Sequence, residues 1–399
     1  MTSAYIIVNN TGDVDTDIVT LPSTMTTTTQ HYPLLSEFSK EYASYHGYIA
    51  AIVCLWGIVA NIANIVVLTR KNMLSSTNMI LTWLAVADLL TMTSYFPVSI
   101  HFYILKPPAL TFPSSFSRNW IEFMLFHINF SVVCHTIAIW LTIMLATFRY
   151  LFICYSAYSM TLCSMQRAKW AIIIVYAVTT VMFIPNYLLT TIKEENVTTS
   201  HNAANQSVSP QTYYKFVESK LAATTWNTVN YWIHAFLVKL IPCILLTVLT
   251  ILLLLAMHRA NRRRMRLKSQ GRKDESERAH EHNRTTRMLL AVVALFLISE
   301  LPQGILTLCT IFITGFFNDV YWPLGDLLDI MALLNNSINF ILYCIMSRQF
   351  RNTFTHIFCQ CCPKKRPGWL KKKPIKASQP SPVKEKWRTT TSDVTNTPV

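Results

Sequence analysis

Glu300, Gln303 and Thr307 fall at i, i+3 and i+7 inside an apolar run that extends from Met288 to about Phe317. At helical spacing they share one face. A carboxylate at bilayer depth costs roughly 2.5–3.5 kcal/mol on insertion scales, so it is kept where it faces a polar interior and serves a purpose. Asp326 and Asp329, at i and i+3, add two carboxylates to the next apolar run, while His127 and His135 lie about two turns apart in an earlier one. Two chemistries suit these residue types. A carboxylate in a dry site holds a guanidinium through two parallel hydrogen bonds; intramembrane His and Asp can also hold a hydrolytic metal. The metal needs three close protein ligands and an open position. His101 and His234 belong to other runs and no compact His motif occurs, so cation recognition is favoured and a seven-span hydrolase is the alternative. Glu300 also has an internal role open to it, protonated and hydrogen-bonded to Gln303 or Lys239. The histidines can equally be packing residues.

The elements that must position these groups are membrane helices. The chain is 52% hydrophobic and 14% charged, a balance that belongs to membrane proteins. Seven apolar stretches reach the roughly 20 residues needed to cross a bilayer. They are expected at about Ile49 to Leu68, Met79 to Leu105, Ile121 to Tyr155, Trp170 to Leu189, Tyr231 to Met257, Met288 to Phe317 and Tyr321 to Met346. Basic residues follow the first, precede the fourth, fill the connection after the fifth (Arg259 to Lys273) and follow the last. By the positive-inside rule the carboxyl tail is cytoplasmic and the amino terminus extracellular. Most of the +15 net charge then faces anionic lipid and acidic partners; nucleic acid is disfavoured because the basic runs border spans. Glycosylation acceptors at Asn9, Asn196 and Asn205 fall on the outer side, as that orientation requires. No signal peptide is visible, so the first span is expected to direct insertion. None of the ten cysteines falls in an outer segment, which removes any extracellular loop disulfide.

The predicted organisation is an extracellular tail over 1–44, a seven-span domain over 45–346, an amphipathic helix with a lipidation region over 347–362, and a disordered cytoplasmic tail over 363–399. Phe350, Phe354, Ile357 and Phe358 recur at i, i+4, i+7 and i+8, the pattern of a helix lying on a membrane surface. Cys359, Cys361 and Cys362 end it beside a basic run, which suits palmitoylation. The long polar loop from Lys193 to about Thr225 is expected to cover part of the outer mouth.

Several groups inside the spans line up with a family. Asn61 in the first, Leu84-Ala85-Val86-Ala87-Asp88 in the second, Phe148-Arg149-Tyr150 closing the third, Pro242, Pro302 and Asn339-Phe340-Ile341-Leu342-Tyr343 form an ordered set. With these the chain resembles a rhodopsin-like G-protein-coupled receptor. The phrases YHGYIAAIVCLWG, RTTRMLLAV, LPQGIL and NSINFILYCIMSRQFR look more narrowly like the invertebrate myosuppressin receptor group, neighbours of the sex-peptide receptor. The resemblance implies an all-α seven-helix bundle with a short eighth helix, in the plasma membrane. It also implies a secreted, carboxy-terminally amidated neuropeptide of the FMRFamide-like type as ligand, an inhibitory heterotrimeric G protein as partner, and arrestin and receptor kinases at the tail. No enzymatic step and no cofactor are expected, apart from a regulatory sodium ion at Asp88, Asn335 and Asn339. Arg149, Tyr150 and Tyr343 would serve G-protein coupling. The peptide's penultimate arginine is expected at Asp329 or Glu300, with Asp326, Gln303, His127 and His135 nearby.

Departures from the family pattern are equally specific. Ala138 removes a hydroxyl expected at the sodium site, Phe148 stands where an acidic residue usually pins Arg149, and Thr250 replaces a tyrosine that usually latches onto Tyr343. The first of these weighs against sodium regulation, and the last two are expected to raise basal activity. Phe340 replaces proline and keeps a backbone donor, softening the kink in the seventh helix. The seventh span has no lysine for a retinal Schiff base, and no internal repeat marks a transporter.

Overall fold

The computed structural model describes residues 33–105, 117–155, 158–197, 211–219, 229, 232–269 and 273–358. Among them, seven helices are long and apolar enough to cross a membrane: Pro33–Leu68, Ser76–Leu105, Arg118–Cys154, Met165–Leu188, Ala235–Arg262, Val293–Thr310 and Gly325–Met346. We number them spans one to seven. A helix is one of two shapes that satisfies every backbone donor and acceptor in hydrocarbon, and the hydroxyl residues of these spans follow the same rule. Thr91, Thr136, Thr142, Thr247 and Thr307 each donate to a carbonyl four residues back on their own helix. Where the chain enters from water, side chains cap it: Ser75 accepts from the Asn78 amide and Ser164 from the Arg167 amide.

Span one begins earlier than its hydropathy suggests. Helix already runs at Pro33, inside the 1–44 segment expected as an extracellular tail. About three turns of it, carrying exposed Glu37 and Glu41, precede the apolar stretch; apolar length marks the bilayer crossing and is blind to a polar extension. Close approach of neighbouring helices shapes the rest of span one. A Cβ at Gly57 would meet the Met92 thioether of span two, so any larger residue there must displace that side chain. Asn61, 1% exposed, donates to the carbonyls of Gly57 and of Asn336, both at 3.0 Å, tying span one to span seven.

Two spans widen into π-turns. Ser99–Leu105 follows Pro97 in span two, and His234–Leu240 comes just before Pro242 in span five. Proline removes a ladder donor, and a wide turn absorbs the freed carbonyl while rotating the following face. Lys239 sits in the second of these turns.

The loop between spans four and five is structured where it is described. Thr190–Val197 (β1) and Gln211–Glu218 (β2) pair antiparallel, with Ile192 opposite Phe216 and Glu194 opposite Tyr214. Phe216 is buried against Val98, Phe102, Ile121 and Met124 at the ends of spans two and three, with Ile192 and Tyr214 beside it. The hairpin is therefore clamped on the bundle by an aromatic ring. The seven described cysteines are all free.

At the opposite end, Arg348–Phe358 forms the expected eighth helix. Phe350, 1% exposed, packs on Tyr343 and Phe340, and Arg351 Nη1 donates to the carbonyls of Cys344 and Ile345 at 2.8 Å. Those carbonyls end span seven without intrahelical partners, so a guanidinium there suits both their lone pairs and the helix dipole. Cys359, Cys361 and Cys362, Asn9 and Asn205, and the tail from 359 onward lie outside the described residues. Asn196 lies in β1, and its side chain is likewise outside what is described.

Candidate functional site

Three buried polar clusters occupy the bundle interior. The first lies between spans one, two, three and seven. Asp326 and Asp329 are 4% exposed, one helical turn apart on span seven, as their spacing requires. Tyr103 donates to Asp326 Oδ1 at 3.0 Å and Tyr95 donates to Asp329 Oδ2 at 3.3 Å. His46 of span one is wedged between the two tyrosines, its Nε2 3.0 Å from the Tyr95 hydroxyl and its ring 4.6 Å from that of Tyr103. A phenol has one hydrogen to give; with that hydrogen on Asp329, Nε2 of His46 must carry the hydrogen of the second bond. His127 rests edge-on against Tyr95 and pairs through Nδ1 with Ser94 at 3.1 Å.

A second cluster joins spans three, five and six. Glu300 is 2% exposed. Its Oε2 accepts from Lys239 Nζ at 3.1 Å, and its Oε1 lies 3.1 Å from Nε2 of His135. The same ammonium donates to Gln303 Oε1 at 2.6 Å. Glu300 and Gln303 thus share a face, and what meets that face is a lysine brought inward by the π-turn of span five. A buried ion pair of this kind gives little net stability, because desolvation offsets attraction; removing one partner strands the other and costs about 3–5 kcal/mol. The pairing open to Glu300 inside the bundle is the one found, through Lys239. His127 and His135 separate into different clusters, each with its own polar partner. Among the described residues no group of three or more His, Cys, Asp or Glu side chains is arranged to hold a metal ion.

Asp88 anchors the third cluster, 2% exposed and accepting from Asn339 Nδ2 at 3.1 Å. Asn335 does not join them. It is half-buried, and its neighbours Asn336 and Ser337 take the inward face, Asn336 giving its carbonyl to Asn61. Asn339 presents an amide hydrogen to Asp88, Ala138 has no side-chain oxygen to offer, and no hydrogen bond joins Asn335 to Asp88 among the described residues. This donor set fits a hydrogen-bonded carboxylate.

At the far end of span three, Arg149 makes no ion pair among the described residues, and its Nε is buried without a partner. Phe148 packs into the cluster around Leu145 and Ile172, and Cys163 approaches its carbonyl at 3.5 Å. Tyr150 packs beside Ile143 and Leu246 in a separate cluster. Thr250 spends its hydroxyl on the Leu246 carbonyl at 2.6 Å, while Tyr343 is buried against Phe350. The side chains of Glu281 and His282 lie outside the described residues.

Sequence reasoning missed His46, Tyr95 and Tyr103. Tyrosine and histidine in an apolar run read as ordinary packing, and the signal that could have found them is that Tyr95 and Tyr103 stand eight residues apart, a little over two turns, so both can face one neighbour.

Seven membrane-length helices enclose three buried polar clusters, and an arginine at the end of span three makes no ion pair among the described residues, an architecture that fits a membrane receptor. The profile of the serpentine type 7TM GPCR chemoreceptor Srw family matches residues 48–361. Among curated proteins, the G-protein coupled receptor dmsr-1 of Caenorhabditis elegans is 30% identical over 79% of this chain and 68% of its own length. The Sex peptide receptor of Drosophila melanogaster is 28% identical, covering 82% and 76% respectively, and the FMRFamide receptor of the same organism is 25% identical over 78% and 53%. The chain belongs to the seven-span G-protein-coupled receptors, sits beside neuropeptide receptors within them, and is a multi-pass plasma-membrane protein rather than an enzyme.

Proposed function

We propose that this receptor responds to a short secreted peptide ending in an amidated Arg-Phe pair, of the FMRFamide or myosuppressin type, and acts through inhibitory heterotrimeric G proteins. The observation that supports it is the pair Asp326 and Asp329, buried at the outer end of span seven and held by neutral hydroxyl donors. A guanidinium arriving there exchanges single hydrogen bonds from neutral phenols for two parallel ones from a cation, which add the attraction of opposite charges. Glu300 is the weaker candidate, because Lys239 already holds it. The amidated aromatic end packs among rings at the mouth, including Tyr42, whose ring stands edge-on to that of His46 at 5.8 Å. Names of relatives that refer to sex peptide and FMRFamide point the same way.

In this reading the amino terminus is extracellular, with Asn9, Asn196 and Asn205 as glycosylation sites. Arg149 and Tyr150 receive the G protein when span six swings about Pro302. No step runs through sodium; Asp88 acts as a hydrogen-bonded pivot between spans two and seven. Cys359, Cys361 and Cys362 carry palmitate, and the tail beyond recruits receptor kinases and arrestin. A panel of amidated and free-acid neuropeptides applied to cells expressing the full chain, read by G-protein activation, tests the proposal. Activation by amidated Arg-Phe peptides and loss on de-amidation is expected. Equal response to the free acids, or response only to peptides without arginine, overturns it.

A further inference from the structure

On the lipid-facing wall, spans five and six leave a groove of about 270 Å³ between them. Its lining includes Lys239, Cys243, Ile244, Val248, Gly304 and Ile305. Ile244, Val248 and Ile305 are about half exposed, so the slot opens to the membrane and not to the central well. Gly304 keeps it open: a Cβ there would stand 3.3 Å from the Cys243 sulfur. Almost everything in the slot is apolar, and the Thr247 hydroxyl is spent on the Cys243 carbonyl.

Lys239 is the exception. An ammonium has three hydrogens, and Lys239 gives two of them to Glu300 and Gln303. The third has no acceptor among the described residues, and the side chain keeps 14% of its surface accessible at the groove. A charged donor left unmet in a low-dielectric wall is costly. The groove also has a direction. Lys239 is the fifth residue of its 28-residue span, and Val248 lies nine residues deeper, roughly 13 Å at helical rise. An amphiphile in either leaflet holds its polar end toward the surface and its chain toward the middle, in the same sense.

We propose that this groove binds a single-chain lipid of the fatty acid or fatty alcohol class, its chain lying along Ile244, Val248 and Ile305 and its terminal oxygen accepting the third hydrogen of Lys239. Occupancy adds an acceptor to the ammonium that holds Glu300, so the bound lipid bears on the link joining spans three, five and six. The site is independent of which peptide activates the receptor.

The test uses the full chain in phosphatidylcholine nanodiscs with three photoreactive probes of equal length: a diazirine fatty acid, its alcohol, and the hydrocarbon lacking oxygen. The acid, the alcohol or both should label peptides spanning residues 241–248 or 301–308 about tenfold above other lipid-facing segments, competed by unlabelled oleic acid or oleyl alcohol. Whichever head group labels identifies the lipid. Ile305→Trp, on the exposed rim, and Gly304→Leu should each cut labelling about tenfold, with thermal melting of the purified protein checking that each folds. If Gly304→Leu fails to fold, Ile305→Trp decides. Even labelling of all lipid-facing spans, equal labelling by the hydrocarbon probe, or labelling unchanged in a folded variant overturns the proposal.

Discussion

Two buried carboxylate clusters in one bundle are held by different kinds of donor. Glu300 faces a cation supplied by the protein, in a cluster that ties three spans together. Asp326 and Asp329 take hydrogens from phenols, between the ends of spans two and seven. An ion pair in a dry interior resists exchange, since an entering charge must displace one already there; a neutral hydroxyl on a carboxylate yields at the cost of one hydrogen bond to a charged group, about 1.5–3 kcal/mol. The Glu300 cluster ties three spans together, whereas in the proposed reading the pair Asp326 and Asp329 receives the ligand's guanidinium.

Breaking the inner cluster should have the largest effect. Lys239→Met strands Glu300 and is expected to cost about 3–5 kcal/mol, visible as a fall in melting temperature and surface expression. The exchange Lys239→Glu with Glu300→Lys should restore most of it. A double variant no better than the singles would mean that the pair is not a mutual contact. Next comes Asp329→Asn, which removes the charge and keeps the shape; peptide potency in the G-protein assay should fall at least about 30-fold, some 2 kcal/mol. Glu300→Gln, in receptors that reach the surface, is expected to leave potency within about threefold, under 0.7 kcal/mol. The reverse ranking would exchange the roles of the two clusters. Tyr95→Phe and Tyr103→Phe sharpen the contrast further, each shifting potency about five- to tenfold with unchanged maximal response, as expected for one hydrogen bond. The smallest effect belongs to Glu37→Gln and Glu41→Gln on the exposed start of span one. They should slow peptide association by about threefold at low ionic strength and not at all in high salt, because exposed charges steer without binding.

Much of the fold was legible because each level of the argument used a rule local to one segment. Apolar length marked all seven spans, and the i, i+4, i+7, i+8 phenylalanines marked the eighth helix. Spacing put Glu300 with Gln303 and Asp326 with Asp329 on common faces, and both pairs are found so. The failures are of another kind. The extension of span one and the hairpin at Thr190–Glu218 are polar elements stabilised by contacts made elsewhere, such as Phe216 on spans two and three. His46, Tyr95 and Tyr103 carry no charge that would make their burial costly, so nothing in the chain singled them out.

Composition and period alone determined that this chain crosses the membrane seven times, and which ionisable groups must face inward, because hydrocarbon penalises every unmatched polar atom along a single helix. Which of those groups meet each other was decided only by the tertiary structure. A π-turn before Pro242 rotates Lys239 onto Glu300, and two tyrosines of span two reach across to span seven. Such pairings depend on how helices are rotated and crossed against one another, a quantity set by the packing of whole faces and absent from any one of them.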